Sequence, residues 1–246
     1  MADISWMPSL PRAVDDDAAS WGLSARLVVP LVAAPIVGGV LLAVLRTHAP
    51  TFRFLTEEDG PIEWLQVAFF LATTGAATRA ALALRRAGEP VAALLFLGLA
   101  LACVFIAGEE IAWGQRLLGI ETPEKIARVN DQQETTIHNI GVLLYVFNVG
   151  MLAVAAYGAS SPWLASRIGL PRWWRRWFVP PMALTTAFAL PALFRIVRLT
   201  VVPHSTYTVT KWGEWTELCL AAALFAFSLL AARRVAADGG EGAATG

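Results

Sequence analysis

The sequence predicts an all-α fold, an integral membrane bundle of about six transmembrane helices with a short interfacial helix. The chain is 57% hydrophobic and only 15% charged, which is too apolar for an ordinary soluble domain. Six apolar runs are each long enough to cross a hydrocarbon core of roughly 30 Å. Nine of the ten tryptophans flank these runs, as aromatic residues do at the two membrane–water boundaries.

Three regions divide the chain. Residues 1–26 are polar and lack an apolar core, so they predict a cytoplasmic tail rather than a cleavable signal. Residues 27–234 form the six-helix transmembrane domain, and residues 235–246, mostly Gly and Ala, are expected to be a disordered tail. The predicted spans follow the apolar runs, at residues 27–45, 62–84, 91–110, 140–160, 177–194 and 212–232. The third span is expected to continue past Glu110.

The loop between the third and fourth spans contains two helix signals. Thr122-Pro123-Glu124 combines a capping Thr, a Pro in the first turn and an acid near the positive end of the helix dipole. It predicts a short interfacial helix that ends at about Val129. Asp131 and Glu134 have the spacing of a capping box, which predicts a further helix that runs into the fourth span.

The charges divide unequally between the two sides of this topology. Six spans place both termini on one side, where eleven of the nineteen Lys and Arg residues lie, so that side is expected to be cytoplasmic. Twelve of the nineteen acids and all three histidines fall on the opposite side. We therefore expect a plasma or inner membrane protein with cytoplasmic termini and an acidic site that faces outward.

Composition also excludes several classes of protein. The net charge is zero, which gives no support for a nucleic-acid partner. Cys103 and Cys219 lie inside apolar runs and predict buried thiols rather than a disulfide framework. The sequence contains no HExxH, Walker A, GxSxG or CxxC motif.

The strongest candidate for a site begins where the third span ends. Glu109 and Glu110 directly follow eighteen uncharged residues, and carboxylates at the end of a membrane helix are costly unless something compensates them. Glu134 and His138 are four residues apart, so they would face the same direction on one helix. Together with Glu110 they are the predicted metal ligands, for zinc, or for iron or manganese where carboxylates dominate.

Two mechanisms fit this set of side chains. A bound metal would lower the pKa of a water molecule and supply a nucleophile at the membrane surface. Alternatively, a Glu and a His without metal would share general acid–base work. The predicted catalytic residues are Glu110, His138, Glu134 and Glu58. The predicted substrate-binding residues are Gln115, Arg116, Asn139 and Trp113, of which Arg116 suits an anionic headgroup.

Structural roles compete with these assignments. Glu134 could simply cap a helix together with Asp131. Arg116 or Arg128 could neutralise the Glu109–Glu110 pair as a structural ion pair.

Other polar residues on the acidic side are expected to have ordinary roles. Glu63, Glu214 and Glu217 lie in the first turns of predicted helices, where acids compensate the helix dipole. His48 and His204 are single loop histidines, for which a site role is the less favoured interpretation.

Several short blocks resemble a family of bacterial polytopic membrane proteins with no assigned activity. The likeness covers about residues 54–140, and the second block is its most specific part. The blocks are Glu58-Asp59-Gly60 with Glu63-Trp64, Gly108-Glu109-Glu110-Ile111 with Trp113-Gly114-Gln115-Arg116, Thr122-Pro123-Glu124, and Asn130, Gln132, Glu134 and His138-Asn139. The resemblance implies that these positions form one unit, and it implies no reaction.

A fainter likeness is to ceramidase-like membrane hydrolases, which have an acidic cluster before a first helix and a zinc held by histidines. This chain has an acidic cluster at residues 57–63 but lacks the paired HxxxH of that superfamily.

These observations predict a polytopic inner-membrane protein with a Glu/His/Asn/Gln site at its outer face. The leading hypothesis is a metal-assisted enzyme that acts on a lipid or lipid-linked substrate. The alternatives are a non-catalytic accessory subunit of a membrane complex and a small transporter with an acidic outer vestibule. The expected partners are membrane lipids and either another protein or a second copy of the chain.

Overall fold

The computed structural model describes residues 10–130, 133–137, 140–201 and 206–243, and in these ranges the secondary structure is helical, without strands. The α-helices are, in chain order, α1 (Leu10–Ser20), α2 (Ala25–Leu45), α3 (Ala49–Thr56), α4 (Pro61–Arg86), α5 (Pro90–Glu110), α6 (Gln115–Leu118), α7 (Glu124–Ala127), α8 (Gly141–Leu164), α9 (Arg172–Phe178), α10 (Thr185–Thr200) and α11 (Tyr207–Ala243). Short 3₁₀ turns lie at Ala112–Gly114 and Met182–Leu184.

Six segments of the described chain are long and apolar enough to cross a membrane, which confirms the predicted fold class. They are Ala25–Leu45, Ala49–Arg86, Pro90–Glu110, Gly141–Leu164, Met182–Thr200 and Tyr207–Asp238. The protein is therefore an all-α membrane bundle. The two cysteines, Cys103 and Cys219, are buried and free, as the sequence predicted.

Three helices form the centre of the bundle. α4 packs along both α5 and α11. Ala77 and Ala80 of α4 and Ala221 and Ala231 of α11 are fully buried in the resulting core. Such small side chains let helix backbones approach closely, which is how helices associate in a lipid environment.

α10 connects this central unit to the outer helices, because it packs against α11, α8 and α2. Its contact with α8 is close at Gly158, where a Cβ atom would overlap the ring of buried Phe188. α8 packs mainly against α10, and only 11% of its apolar window is buried. The face of α8 that looks away from α10 is therefore available to lipid.

Two spans have bounds that differ from the predicted ones. The third span stops at Glu110 rather than continuing, because Ala112 and Trp113 adopt positive φ angles of 45° and 54°. The fifth span begins after Pro180-Pro181 and not at Trp177, since two successive prolines remove two backbone N–H donors and restrict the preceding residue. It then continues to Thr200, beyond the predicted end at residue 194.

The loop before α8 differs more from the prediction. The interfacial helix is a single turn, α7, and Pro123 rather than Thr122 precedes it at the cap position. Residues 133–137 are not helical, so the further helix predicted to run into the fourth span is wrong in this range. α8 starts only at Gly141. Glu134 is therefore not on a helix.

Both ends of the described chain pack on the bundle. In α1, Ala18 is buried and the Asp17 carboxylate accepts a hydrogen bond from the Met182 backbone N–H at 2.6 Å. α11 extends to Ala243, beyond the predicted end at residue 232, and Val235 is buried against the core. Helical structure therefore reaches into both segments that the sequence assigned to tails.

Candidate functional site

A charged cavity of about 210 Å³ lies at the end of the bundle where α5 stops and α11 begins. Its walls come from α4, α5, α8, α10 and α11 and from the loops before α4 and α8. The charged residues that line it are Glu58, Glu63, Glu109, Glu110, Glu134, Glu214, Glu217, Arg116, Arg195 and Arg198. Acids thus outnumber bases by more than two to one, and five of the seven acids belong to the sequence blocks that carry the family resemblance.

Arg116 binds several carboxylates at once. Its Nε donates to Asp59 at 3.1 Å and its Nη1 donates to Glu134 at 2.8 Å. Its Nη2 donates to the Glu63 carboxylate and, at 2.9 Å, to the backbone carbonyl of Glu110. One guanidinium therefore joins the start of α4, the end of α5 and the loop before α8.

These contacts favour a structural role for Arg116. Burial alone would lower the pKa of its guanidinium, but the hydrogen bond to Glu134 and the neighbouring carboxylates raise that pKa instead. The sequence suggested pairing with Glu109 or Glu110, and the observed carboxylate partners are different residues. Because its donors are engaged, Arg116 is a poor candidate for binding an anionic headgroup, which was its predicted role.

Glu109 anchors the turn that follows α5. It is only 2% exposed, and its carboxylate accepts hydrogen bonds from Trp113 Nε1 at 2.6 Å and from the Ile137 backbone N–H at 2.7 Å. The Trp113 ring folds back over Gly108, where a Cβ atom would come within 2.7 Å of it. Glu109 and Trp113 thus hold the loop, and Trp113 does not line the described part of the cavity.

Gln115 has a comparable structural function. Its Oε1 accepts hydrogen bonds from the Thr135 backbone N–H at 2.7 Å and from the Thr135 hydroxyl. Its Nε2 donates to the hydroxyl of Thr122. Gln115 therefore joins two parts of the loop, and it too is not among the described residues that line the cavity.

Glu110 differs from its neighbour Glu109. Its side chain lines the cavity, and its carboxylate has no hydrogen-bond or ion-pair partner among the residues that the structure describes. The carboxylates of Glu217, Glu214 and Glu63 interact with it electrostatically. Like charges at this proximity in a membrane require a compensating cation, which a proton, a metal ion or a ligand would supply.

The structure adds four cavity residues that the sequence did not select. Glu214 accepts a hydrogen bond from Gln66 Nε2 at 3.2 Å, and Glu217 forms an ion pair with Arg195. Arg198 lies one turn further along α10. Both pairs, Glu214 with Glu217 and Arg195 with Arg198, have i, i+3 spacing, which places each pair on one helix face. This i, i+3 spacing is the feature of the sequence that could have identified the four residues.

The two arginines of α10 retain unused hydrogen-bond donors. Arg195 is 6% exposed, and its Nε is buried without a partner in the described chain. The same holds for Nη1 of Arg198. Buried N–H groups are normally paired, so these two atoms are donors that remain available to an acceptor.

Several predicted site residues lie outside the described residues, namely His138 and Asn139, together with His204. Within the described ranges, no group of three His, Cys, Asp or Glu residues is arranged to hold a metal ion. Of the predicted ligands, Glu110 and Glu134 both line the cavity, and Glu134 is paired with Arg116. The metal centre stays a prediction, because its histidine is not described.

An apolar groove lies beside the charged cavity, between α2, α10 and α11. Its volume is about 470 Å³. The residues that line it are Pro35, Ile36, Gly39, Val40, Ala43, Leu190, Leu193, Phe194, Val197, Trp212, Trp215 and Thr216. Phe194 also lines the charged cavity, so the two spaces share this side chain.

Comparison of the chain with protein-family models, with curated proteins and with solved structures finds no match. The functional argument therefore depends on the geometry of the cavity and the groove.

Proposed function

We propose that the protein is a membrane-embedded enzyme that acts on the headgroup of a lipid or lipid-linked substrate in the charged cavity. One observation carries this proposal: the charged cavity and the apolar groove meet at Phe194. A lipid has a polar headgroup joined to an apolar chain, and these two adjoining spaces match that division.

Phe194 contacts two other residues that line the charged cavity. The Phe194 ring packs against Gly213, where a Cβ atom would lie 3.5 Å from Cε1 of the ring. The guanidinium of Arg195 is 5.8 Å from the centroid of the same ring. A lipid bound across Phe194 would place its apolar chain in the groove and its headgroup in the cavity.

Glu110 is the residue best placed for proton transfer. It lines the cavity, its carboxylate forms no ion pair with an arginine among the described residues, and it interacts electrostatically with the carboxylates of Glu214 and Glu217. A group of carboxylates in unequal environments is the arrangement that general acid–base catalysis uses. Arg195 and Arg198 would stabilise negative charge that develops on a phosphoryl or acyl oxygen.

The test is a direct search for a reaction. Purified protein is reconstituted into vesicles made from a total bacterial lipid extract, and the lipids are followed by mass spectrometry. We expect a headgroup species to be consumed by the wild type and at least about a hundredfold more slowly by Glu110→Gln. Glu121→Gln, an exposed acid in the nearby loop, is the matched control and should behave as wild type.

Unchanged lipids with well-folded wild type would contradict the enzyme proposal. Co-purification of another protein in a one-to-one ratio would then favour the accessory-subunit alternative.

Elemental analysis of the purified protein tests the metal hypothesis separately. That hypothesis predicts about one divalent ion per chain in the wild type and loss of this ion in Glu110→Ala and His138→Ala. Turnover by metal-free wild type would instead favour acid–base catalysis by the side chains alone.

A further inference from the structure

We propose that the ligand of the charged cavity is a phospholipid whose zwitterionic headgroup carries a phosphate and a primary ammonium group. This inference rests on the proposed function, because it takes the ligand to be a lipid. The phosphate would bind to Arg195 and Arg198, and the ammonium group would bind among Glu110 and the acids of α11.

The arginines of α10 define the anionic subsite. Arg195 uses Nη2 for Glu217, which leaves its buried Nε without a partner among the described residues. Arg198 has a second such donor, Nη1, on the same helix face. Buried donors that stay unpaired are energetically costly, which favours binding of an acceptor. A phosphate has several strong acceptor oxygens and suits two guanidinium groups.

The carboxylates define the cationic subsite. Seven glutamates against three arginines leave the cavity with an excess of negative charge. Arg116 and Arg195 already pair with Glu63, Glu134 and Glu217. Glu110 forms no ion pair in the described chain, although Arg116 acts on it electrostatically. Glu214 accepts a hydrogen bond from Gln66 and interacts electrostatically with Lys211, without forming an ion pair among the described residues. A ligand that brings positive charge as well as a phosphate would therefore compensate these carboxylates.

The chemistry of the walls favours a primary over a quaternary ammonium group. Quaternary ammonium groups are held by cages of Trp and Tyr rings. The described residues that line the charged cavity include Phe147 and Phe194 but neither Trp nor Tyr. A primary ammonium group has three N–H donors, which match the acceptor oxygens of Glu110 and Glu214.

The order of these subsites matches the order of groups in such a lipid. The apolar groove contains Leu193 and Val197, the shared wall is Phe194, and Arg195 follows it directly on α10. Glu110 comes from a different helix, α5. With its acyl chain in the groove, the lipid would thus place its phosphate at the two arginines and its terminal ammonium group at the carboxylates.

The experiment is native mass spectrometry of the purified protein with an equimolar mixture of three lipids. The lipids are phosphatidylethanolamine, phosphatidylcholine and phosphatidylglycerol with identical acyl chains. We expect the wild type to retain phosphatidylethanolamine about tenfold better than the other two. Arg198→Gln should reduce this retention about tenfold, and Glu110→Gln should remove the preference over phosphatidylglycerol.

Controls separate folding from recognition. Arg233→Gln changes an arginine at the opposite end of the bundle and should leave retention unchanged. Arg198→Lys keeps the positive charge and should retain part of the lipid binding that Arg198→Gln loses. Soluble phosphoethanolamine at the same concentration should not displace the lipid, because it lacks the chain that the groove holds.

Each opposing result has a distinct meaning. Preferential retention of phosphatidylcholine or phosphatidylglycerol would overturn the headgroup assignment and leave the lipid proposal standing. Displacement by soluble phosphoethanolamine would show that the ligand is a water-soluble compound. It would overturn the assignment of the groove as the binding site of an acyl chain. If no lipid is retained and no lipid is turned over, the proposed function fails as well.

Discussion

At the scale of single residues, Glu109 and Glu110 are adjacent in the sequence and have different roles. Successive positions on a helix point about 100° apart, so the two carboxylates meet different neighbours although both residues line the cavity. Glu109 accepts hydrogen bonds from Trp113 and Ile137, whereas the Glu110 carboxylate has no hydrogen-bond partner among the described residues. The sequence marked this pair as costly, but assigning the two roles required the fold of the loop that follows.

Arg116 gives a first residue-scale prediction. Lys at this position has a single ammonium group that cannot reach Asp59, Glu63 and Glu134 together. At least one half-buried carboxylate would lose its partner, so Arg116→Lys should lower the free energy of unfolding by about 1.5–3 kcal/mol. Thermal unfolding in detergent, followed by tryptophan fluorescence, measures this as a fall in Tm.

Arg128→Lys is the matched control for this change. Arg128 pairs with Glu124 four residues earlier, and both side chains are more than three-quarters exposed. Such a surface pair contributes less than about 0.5 kcal/mol, so its variant should keep the wild-type Tm. Equal shifts in the two variants would show that Arg116 does not hold the loops together.

One reason explains why the sequence did not identify four of the cavity residues. Glu214 and Glu217 lie in the early turns of a membrane helix, where an acid usually compensates the helix dipole. Arg195 and Arg198 lie near the end of α10, where basic residues are equally common. Each interpretation is sound for a single helix. Only the packing of α10 against α11 brings the four side chains into one cavity.

At the scale of elements, the contact between α8 and α10 depends on Gly158. A Cβ atom there would overlap Phe188, which is 2% exposed and has little room to move. Gly158→Ala should therefore destabilise the protein by about 1–3 kcal/mol through overpacking. The measurement is again the Tm in detergent.

Gly150→Ala, on the same helix, is the control. A Cβ atom at Gly150 meets nothing within 4 Å, and Ala favours helix more than Gly does. This variant should be neutral or slightly stabilised. A larger loss of stability at Gly150 than at Gly158 would contradict the packing of α8 on α10.

The helical spans could be predicted from the sequence because a membrane imposes a long apolar run on each of them. Proline alone did not locate their ends. Pro35 and Pro191 lie inside helices, whereas the successive residues Pro180 and Pro181 end one. The loop between α5 and α8 was predicted less well, since its conformation depends on side-chain hydrogen bonds from distant positions, such as Gln115 to Thr135.

At the scale of the whole molecule, we predict that the acidic end and the arginine-rich loops lie on opposite sides of the membrane. Orientation follows from the positive-inside rule and is testable with introduced cysteines. Cys103 and Cys219 are 1% and 4% exposed, so they provide an unreactive background. We expect Glu121→Cys to react with an impermeant maleimide in intact cells, and Arg167→Cys to react only after permeabilisation.

Both positions are exposed in the structure, so accessibility to the reagent decides the result. The reverse labelling pattern would show that the charged cavity faces the cytoplasm. Labelling of both positions in intact cells would contradict the prediction that α8, the one span between them, crosses the membrane.

The position of Phe194, which lines both the apolar groove and the charged cavity, changes how occupancy of the proposed lipid site should be understood. A ligand that reaches the cavity through the apolar groove comes from the lipid bilayer. In the bilayer, lipid is the solvent and not a dilute solute. Its abundance is then a mole fraction of the membrane, and even weak intrinsic affinity suffices to fill the cavity. Activity would follow the lipid composition of the cell, so the membrane itself would set the rate.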